Sequence, residues 1–355
     1  MTMPAKPTET LLLTQDELVR CGATDLDLIG ACLEEMFVVH AEGNFTAPPS
    51  SFLKRPECPH VADRIIGLSA HLGGNFDIEG MKWIASAHRN PSIGLPRANA
   101  VIVLNDAETR QPIAVMEGGL ISAMRTAVVQ GLAARYLARS DSRSVGLVGA
   151  GRIGALVLYV LHHWFPTIDQ WRVYDLLPER LDAFARHMEG LGVAVDPVAD
   201  FRAALAPSDI AVVATTADEA YVTPDCFKEG SLFVNVSLMD PTFELVQLSD
   251  KIVVDDWAQC VHSDRVLARM HKQGLLEREG IHGEFGEIVQ GVIPGREDDQ
   301  ERIFFNPFGL AIEDLAVALT LYRKAEELGL GSRVKLVDEE WDVLFSPPVS
   351  PAPAD

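Results

Sequence analysis

The spacing of apolar residues changes along the chain and divides it into regions. Over residues 14–41 the spacing is helical, and Asp25 stands where it can cap "LDLIGACLEEMFVVHA". Between residues 61 and 116 short apolar runs are punctuated by turns. "RIIGLSAHLGG", "GMKWIASAH", "NAVIVLND" and "PIAVME" predict strands, with "NDAETRQP" as a hairpin connection. This region predicts an antiparallel α+β domain, and Trp83 and Phe308 read as core residues. "LISAMRTAVVQGLAARYLA" then predicts a helix over residues 122–138.

After that helix, strand and helix alternate. "SVGLVGA" predicts a buried strand, "RIGALVLYVLHHW" a helix, "WRVYD" a strand, and "PERLDAFARHMEGLG" a helix with Pro178 at its start. "VAVDPV", "DIAVVATT", "SLFVNVSL" and "KIVVDD" predict further strands. Such alternation predicts an α/β fold with a Rossmann-type doubly wound parallel sheet, joined to the α+β domain that precedes it. The nucleotide domain is expected over residues 121–320, and the other over 1–120 and 321–355. "GLAIEDLAVALTLYRKAEELGLG" predicts a long helix that returns to the first domain, and the ends "MTMPAKPTE" and "SPPVSPAPAD" read as loose.

Charge and composition narrow the chemistry. A formal net charge of −21 opposes binding to nucleic acid and requires local cations for any anionic substrate. The 5 cysteines are scattered without C-x-x-C spacing, which fits a reducing cytoplasm and indicates neither zinc nor a disulfide framework. Neither a signal peptide nor a membrane span is expected. Cys58 and His60 in "CPH", and His162 and His163 in "LHHW", lack a partner set at ligand spacing, so no metal is expected.

Gly149-Ala-Gly151-Arg-Ile-Gly154 falls where a strand passes into a helix. Gly149 would permit the tight turn, Gly151 the approach of a pyrophosphate, and Gly154 close helix packing. Asp175 ends the next strand, where an acid binds the ribose 2′-hydroxyl and repels a 2′-phosphate, so the cofactor read here is NAD. Arg64, Lys82, Arg97 and Arg125 each have apolar neighbours, which points to a site for carboxylates. Asp240 follows a strand of the nucleotide sheet, at the edge where ligands of open α/β sheets bind, although a turn-forming Asp before Pro241 is the competing reading.

"HVADRIIGLSAHLGG", "GMKWIASAHRNPS", "RANAVIVLNDAETRQPIAVMEGGLISAMRTA", "VVDDWAQC", "GEIVQGVIPGREDDQE" and "FNPFGLAIEDLAVA" resemble the ornithine cyclodeaminase/mu-crystallin family over about residues 12–330. "IPGREDDQE" and "NPFGLAIEDL" are most similar to the branch that releases L-2,3-diaminopropionate from N-(2-amino-2-carboxyethyl)-L-glutamate. The resemblance implies that Lys82 and Arg64 hold a substrate carboxylate, that Arg125 lies between substrate and cofactor with Thr126 beside the phosphates, and that Asp240 acts on the substrate nitrogen or the attacking water. Arg97 suits the diaminopropionate branch, whose substrate has several carboxylates. The cyclodeaminases carry a "GGD" turn where this chain has Leu238-Met239, which argues against ornithine cyclisation.

The expected cofactor set is Gly149, Gly151, Arg152, Ile153, Gly154, Asp175, Thr126, Thr215, Thr216, Val236, Ser237 and Gly309. The resemblance makes the α+β domain the substrate-binding and dimerisation domain, with a homodimer formed by the first domains also implied. The other activities open to such a chain are those of an imine, ketimine or alanine dehydrogenase, a cyclodeaminase, or a non-catalytic nucleotide binder. His88 lies near the expected anion site, with a structural role equally open.

Overall fold

Capping chemistry sets where the first helices begin. Thr14 and Glu17 form a reciprocal capping box for helix Gln15–Arg20, and the Asp25 carboxylate accepts from the Asp27 and Leu28 amides to open helix Leu26–Ala41. The computed structural model describes residues 9–57, 60 and 63–336. Cys58, residues 1–8 and the stretch "SPPVSPAPAD" lie outside them.

The first eight-stranded sheet runs Ser332–Lys335, Glu9–Leu13, Pro112–Glu117, Ala98–Asp106, Ile78–Ser86, Arg64–Leu72, Phe45–Thr46, with Ser51–Leu53 also paired to Arg64–Leu72. The four predicted strands form its antiparallel centre. Glu9, expected in a loose end, instead begins a strand that runs parallel to Pro112–Glu117. The sheet is therefore mixed rather than purely antiparallel. Leu11 and Leu13 drive this pairing by burying their side chains, and the partner lies a hundred residues away, beyond the reach of local pattern.

The period of two along Ile78–Ser86 turns Ile78 and Lys82 inward and Trp83 outward. Trp83 is consequently 41% exposed, not core as its size suggested. Helix Ala311–Leu328, predicted as the returning helix, crosses the inner face of the three central strands and meets helices Leu26–Ala41 and Gly119–Leu137. The latter begins three residues earlier than predicted.

The second eight-stranded sheet runs Asp196–Pro197, Gln170–Tyr174, Ser144–Val148, Ile210–Val213, Leu232–Asn235, Ile303–Asn306, Lys251–Val254, Gly283–Glu284. Its pairings are parallel. Strand order reverses beside Ser144–Val148, which makes the end of that strand the topological switch point. The predicted strand "VAVDPV" shrinks to two residues. Ile303–Asn306 was not predicted: it is a four-residue buried run that lies between the acidic stretch "GREDDQE" and Pro307, with no apolar flank to extend it.

One aromatic group joins the two layers. Phe285, fully buried, meets Phe37 of helix Leu26–Ala41 edge-on at 4.9 Å, Tyr136 of helix Gly119–Leu137 at 5.8 Å and Phe305 of the parallel sheet at 5.2 Å. Phe285→Ala should lower unfolding stability by about 3–5 kcal/mol in urea, because three elements line the resulting cavity and cannot all collapse into it. A loss below about 1 kcal/mol would show that the halves are held elsewhere.

Candidate active site

The end of strand Ser144–Val148 is shaped around three glycines. Gly149 has φ +106°, and a Cβ there would stand 2.5 Å from the Ala214 carbonyl oxygen. A Cβ on Gly154 would stand 2.4 Å from the Gly149 carbonyl oxygen, so the helix can approach the turn only without one. A Cβ on Gly151 would meet nothing within 4 Å. Helix Arg152–Trp164 starts from Gly151 without a side-chain cap, leaving its first amides directed at that open space. This is a cradle that fits a pyrophosphate. Arg152 is exposed beside it and Ile153 half-buried.

Asp175 faces the same loop. Its carboxylate accepts from the Ala150 amide at 2.8 Å and from the Leu177 amide at 3.0 Å, and Arg180 lies 3.9 Å away.

Asp240 is fully buried. The turn that delivers it puts Leu238 at φ +71°, a conformation that favours glycine, and the Leu238 amide is held by Asn235 Oδ1 at 3.1 Å. Three hydroxyls converge on the carboxylate. Thr215 donates at 2.5 Å and Tyr221 at 2.9 Å to one oxygen, and Ser237 at 2.5 Å to the other. Burial, then the Asp240 charge, pushes the Tyr221 phenol above its usual range and keeps it a donor. Thr215 and Ser237, expected to face the cofactor, thus spend their hydroxyls on Asp240. Thr216 is exposed, Val236 is half-buried, and the Thr126 hydroxyl donates to the Ser122 carbonyl at 2.7 Å.

The expected carboxylate site divides in two. Lys82 and Arg125 lie buried, and their charges are already met by two acids that sequence reasoning did not single out. Lys82 pairs with Asp314 and donates to Ser122 at 3.2 Å. Arg125 pairs with Glu313 and reaches Asp314 at 3.3 Å. The physical reason is that an isolated buried ammonium or guanidinium is far too costly to desolvate. The signal was present in "AIEDLAV", where two adjacent acids interrupt an apolar helix face.

A third acid adjoins this group. Asp255 accepts from the Gly309 amide at 2.6 Å, in a turn where Gly309 adopts φ +91° and a Cβ would crowd the Arg125 guanidinium at 2.9 Å. Burial, then the Glu313 charge, pushes the Asp255 carboxyl up to about 7. Burial also raises Glu313 against the pull of Arg125, and lowers Lys82 to about 8.

The other two cations belong to a different group. Arg64 is half-buried, and burial, then the charges of Arg265 and Arg97, lower its pKa. Arg265 comes from the parallel-sheet side and feels the Asp240 carboxylate. Sequence reasoning missed Arg265 because "HSDRVLARM" looks like an ordinary surface helix start. His88 does not join these arginines; its ring pairs with Asp63 at 2.8 Å. His163 lies 3.7 Å from Asp27, and His162 packs edge-on to Trp171.

The chain is similar to known proteins in sequence and in fold. Residues 9–329 match the ornithine cyclodeaminase/mu-crystallin family. The N-((2S)-2-amino-2-carboxyethyl)-L-glutamate dehydrogenase of Staphylococcus aureus is 36% identical over 332 residues, covering 92% of this chain and 99% of that protein. The structure of Thermococcus litoralis Delta(1)-pyrroline-2-carboxylate reductase with NADH and L-proline superposes with a TM-score of 0.83 at 33% identity, over 92% of this chain and 100% of that one. An archaeal alanine dehydrogenase dimer with bound NAD gives 0.82 at 30% identity, over 93% and 100%.

The buried group holds three carboxyls, Asp255, Glu313 and Asp314, against two cations, Lys82 and Arg125. From about pH 4 to 7 the folded chain therefore keeps a proton that the unfolded chain has released. Stability contributed by this group falls as pH rises through that window. Glu313→Gln balances the charges, so the decline in melting temperature between about pH 5 and 7 should shrink. An unchanged pH slope would mean that the retained proton is not on this pair.

Proposed function

The chain belongs to the ornithine cyclodeaminase/mu-crystallin family, and from that premise we propose that it catalyses NAD-dependent oxidative hydrolysis of N-(2-amino-2-carboxyethyl)-L-glutamate. The products are 2-oxoglutarate and L-2,3-diaminopropionate. The observation that carries this reading is the gathering of Arg64, Arg97 and Arg265 on the side of the buried Asp240. Guanidinium groups set close together suit an anionic ligand, and this substrate brings three carboxylates. The similarity to the Staphylococcus aureus dehydrogenase supports the same choice.

NAD, once bound, supplies the acceptor for the hydride on the glutamate α-carbon. The glycine turn and the amides of helix Arg152–Trp164 hold the pyrophosphate, with Arg152, Ile153 and Thr126 beside it. Asp175 takes the adenosine ribose and disfavours a 2′-phosphate. Val236, Thr216 and Gly309 line the remaining edge.

Asp240 takes the proton of the substrate nitrogen as the C=N bond forms. Asp240 passes that proton to solvent, then takes one from the water that attacks the imine carbon and gives it to the departing amine as the C–N bond breaks. Overall, substrate, NAD and water give 2-oxoglutarate, diaminopropionate, NADH and one proton. Thr215, Ser237 and Tyr221 hold the carboxylate in place, and one of these hydroxyls has to turn away for Asp240 to accept. Lys82 has one N–H beyond its bonds to Asp314 and Ser122, and this N–H can orient a substrate carboxylate close to Arg125.

Asp240→Asn preserves the turn and cannot accept a proton. We expect NAD binding to persist and kcat to fall by about 10²- to 10⁴-fold, followed by NADH formation and 2-oxoglutarate release. A loss of only a few-fold would return Asp240 to a turn role.

The homodimer uses the outer face of the first sheet. Trp83 and Val101 are register partners there, 41% and 42% exposed, next to Phe52 and Leu53 at 61% and 54%. Apolar surface of this kind is buried in partners. Trp83→Asp should shift the chain to a monomer in light scattering; a dimer that persists unchanged would place the interface on another face.

A further inference from the structure

We propose that His60, Asp63 and His88 form a binding site for a divalent transition-metal ion of the zinc class. The three side chains come from either side of the open end of the first sheet. The Asp63 amide donates to the His60 carbonyl at 3.0 Å, which keeps His60 close to Asp63 just before strand Arg64–Leu72 begins. His88 follows strand Ile78–Ser86, whose last residue pairs with Arg64. The end of the ladder thus brings the two sequence-distant segments together.

The donor atoms already converge. One ligand atom from each residue lies within 4.8 Å of the others. The imidazoles of His60 and His88 stack at 4.1 Å with an interplanar angle of 15°. Asp63 fixes His88 twice, through its amide at 2.7 Å and through Nδ1 at 2.8 and 2.9 Å. A tetrahedral ion with bonds of about 2.0–2.2 Å keeps its ligand atoms roughly 3.3–3.5 Å apart. The separations present therefore need to open by several tenths of an ångström at the short contact and close by about 1 Å at the longest. Side-chain rotation can supply both, because His60 and His88 are exposed and Asp63 is half-exposed. Solvent supplies the fourth ligand.

Donor chemistry selects the class of ion. Two imidazoles and one carboxylate suit Zn²⁺, Co²⁺ and Ni²⁺, whereas Mg²⁺ and Ca²⁺ require mostly oxygen ligands. The chain's net charge of −21 favours any cation. Binding would fasten the entry of Arg64–Leu72 to the exit of Ile78–Ser86. Arg64 directly follows Asp63, and the Arg97 carbonyl accepts from the Ala87 amide at 2.9 Å, next to His88. The ion would therefore stiffen the corner from which both arginines project. The inference does not depend on the proposed reaction.

The test uses the untagged full chain, stripped with chelator and titrated with Zn²⁺ against a chromophoric competitor, and with Co²⁺ followed by visible absorption. We expect one Zn²⁺ per chain, tetrahedral Co²⁺ bands, and at least tenfold weaker Zn²⁺ binding for His60→Ala and for His88→Ala. His163→Ala, on the far helix end, should bind as the wild type does. A second readout requires no variant: Zn²⁺ should protect His60 and His88 from diethyl pyrocarbonate, as resolved by mass spectrometry. Absence of stoichiometric binding, equal affinity in the two variants, or protection that omits these histidines would overturn the site.

Discussion

Charge buried out of water must be matched, and that constraint organises the centre of this protein. Lys82 comes from the first sheet, Arg125 from helix Gly119–Leu137, Glu313 and Asp314 from the returning helix, and Asp255 from the edge of the parallel sheet. No pair among them can move without leaving a partner exposed to a low dielectric. Losing one member of a buried pair costs about 3–5 kcal/mol, much of it the penalty on the charge left behind. The group acts as a registry device: it specifies how the first sheet, the connecting helix and the nucleotide sheet meet, while the aromatic packing around Phe285 supplies the apolar contact between them.

That registry decides what lies across the cleft. With the sheets so placed, Arg64 and Arg97 from one side approach Arg265 and Asp240 from the other. The cations of the chain thus divide by burial. Lys82 and Arg125 are paired with buried acids, whereas Arg64 lies close enough to Arg265 and Arg97 for their charges to lower its pKa after burial. Three hydroxyls converge on the two oxygens of Asp240 and fix the orientation of its carboxyl group.

The two faces of the first sheet serve different ends for the same geometrical reason. Alternation sends Lys82 into the charged centre and its neighbour Trp83 to the surface. At the sheet's open end, where the ladder stops at Arg64 and Ser86, side chains no longer have to fit a neighbouring strand, and His60, Asp63 and His88 collect there.

Local pattern was sufficient for much of this. The strand–glycines–helix–strand order around Gly149, Gly151 and Gly154, the Asp25 cap, the antiparallel strands and the long returning helix are all set by neighbours within a few residues, and the structure has them. The alternation of Ile78–Ser86 was equally open to inspection, but the size of Trp83 concealed its outward position. What local pattern could not contain was pairing at long range. Strand Glu9–Leu13 needs Pro112–Glu117 beside it, Lys82 needs an acid more than two hundred residues away, and Arg265 becomes notable only next to Arg64. The sequence by itself determined the long helices, most central strands of both sheets and where a dinucleotide could lie, because backbone conformation and capping are local. Only the tertiary structure decided which cations are paired with buried acids and which gather on the side of Asp240, because desolvation and Coulomb energies depend on burial and distance in space.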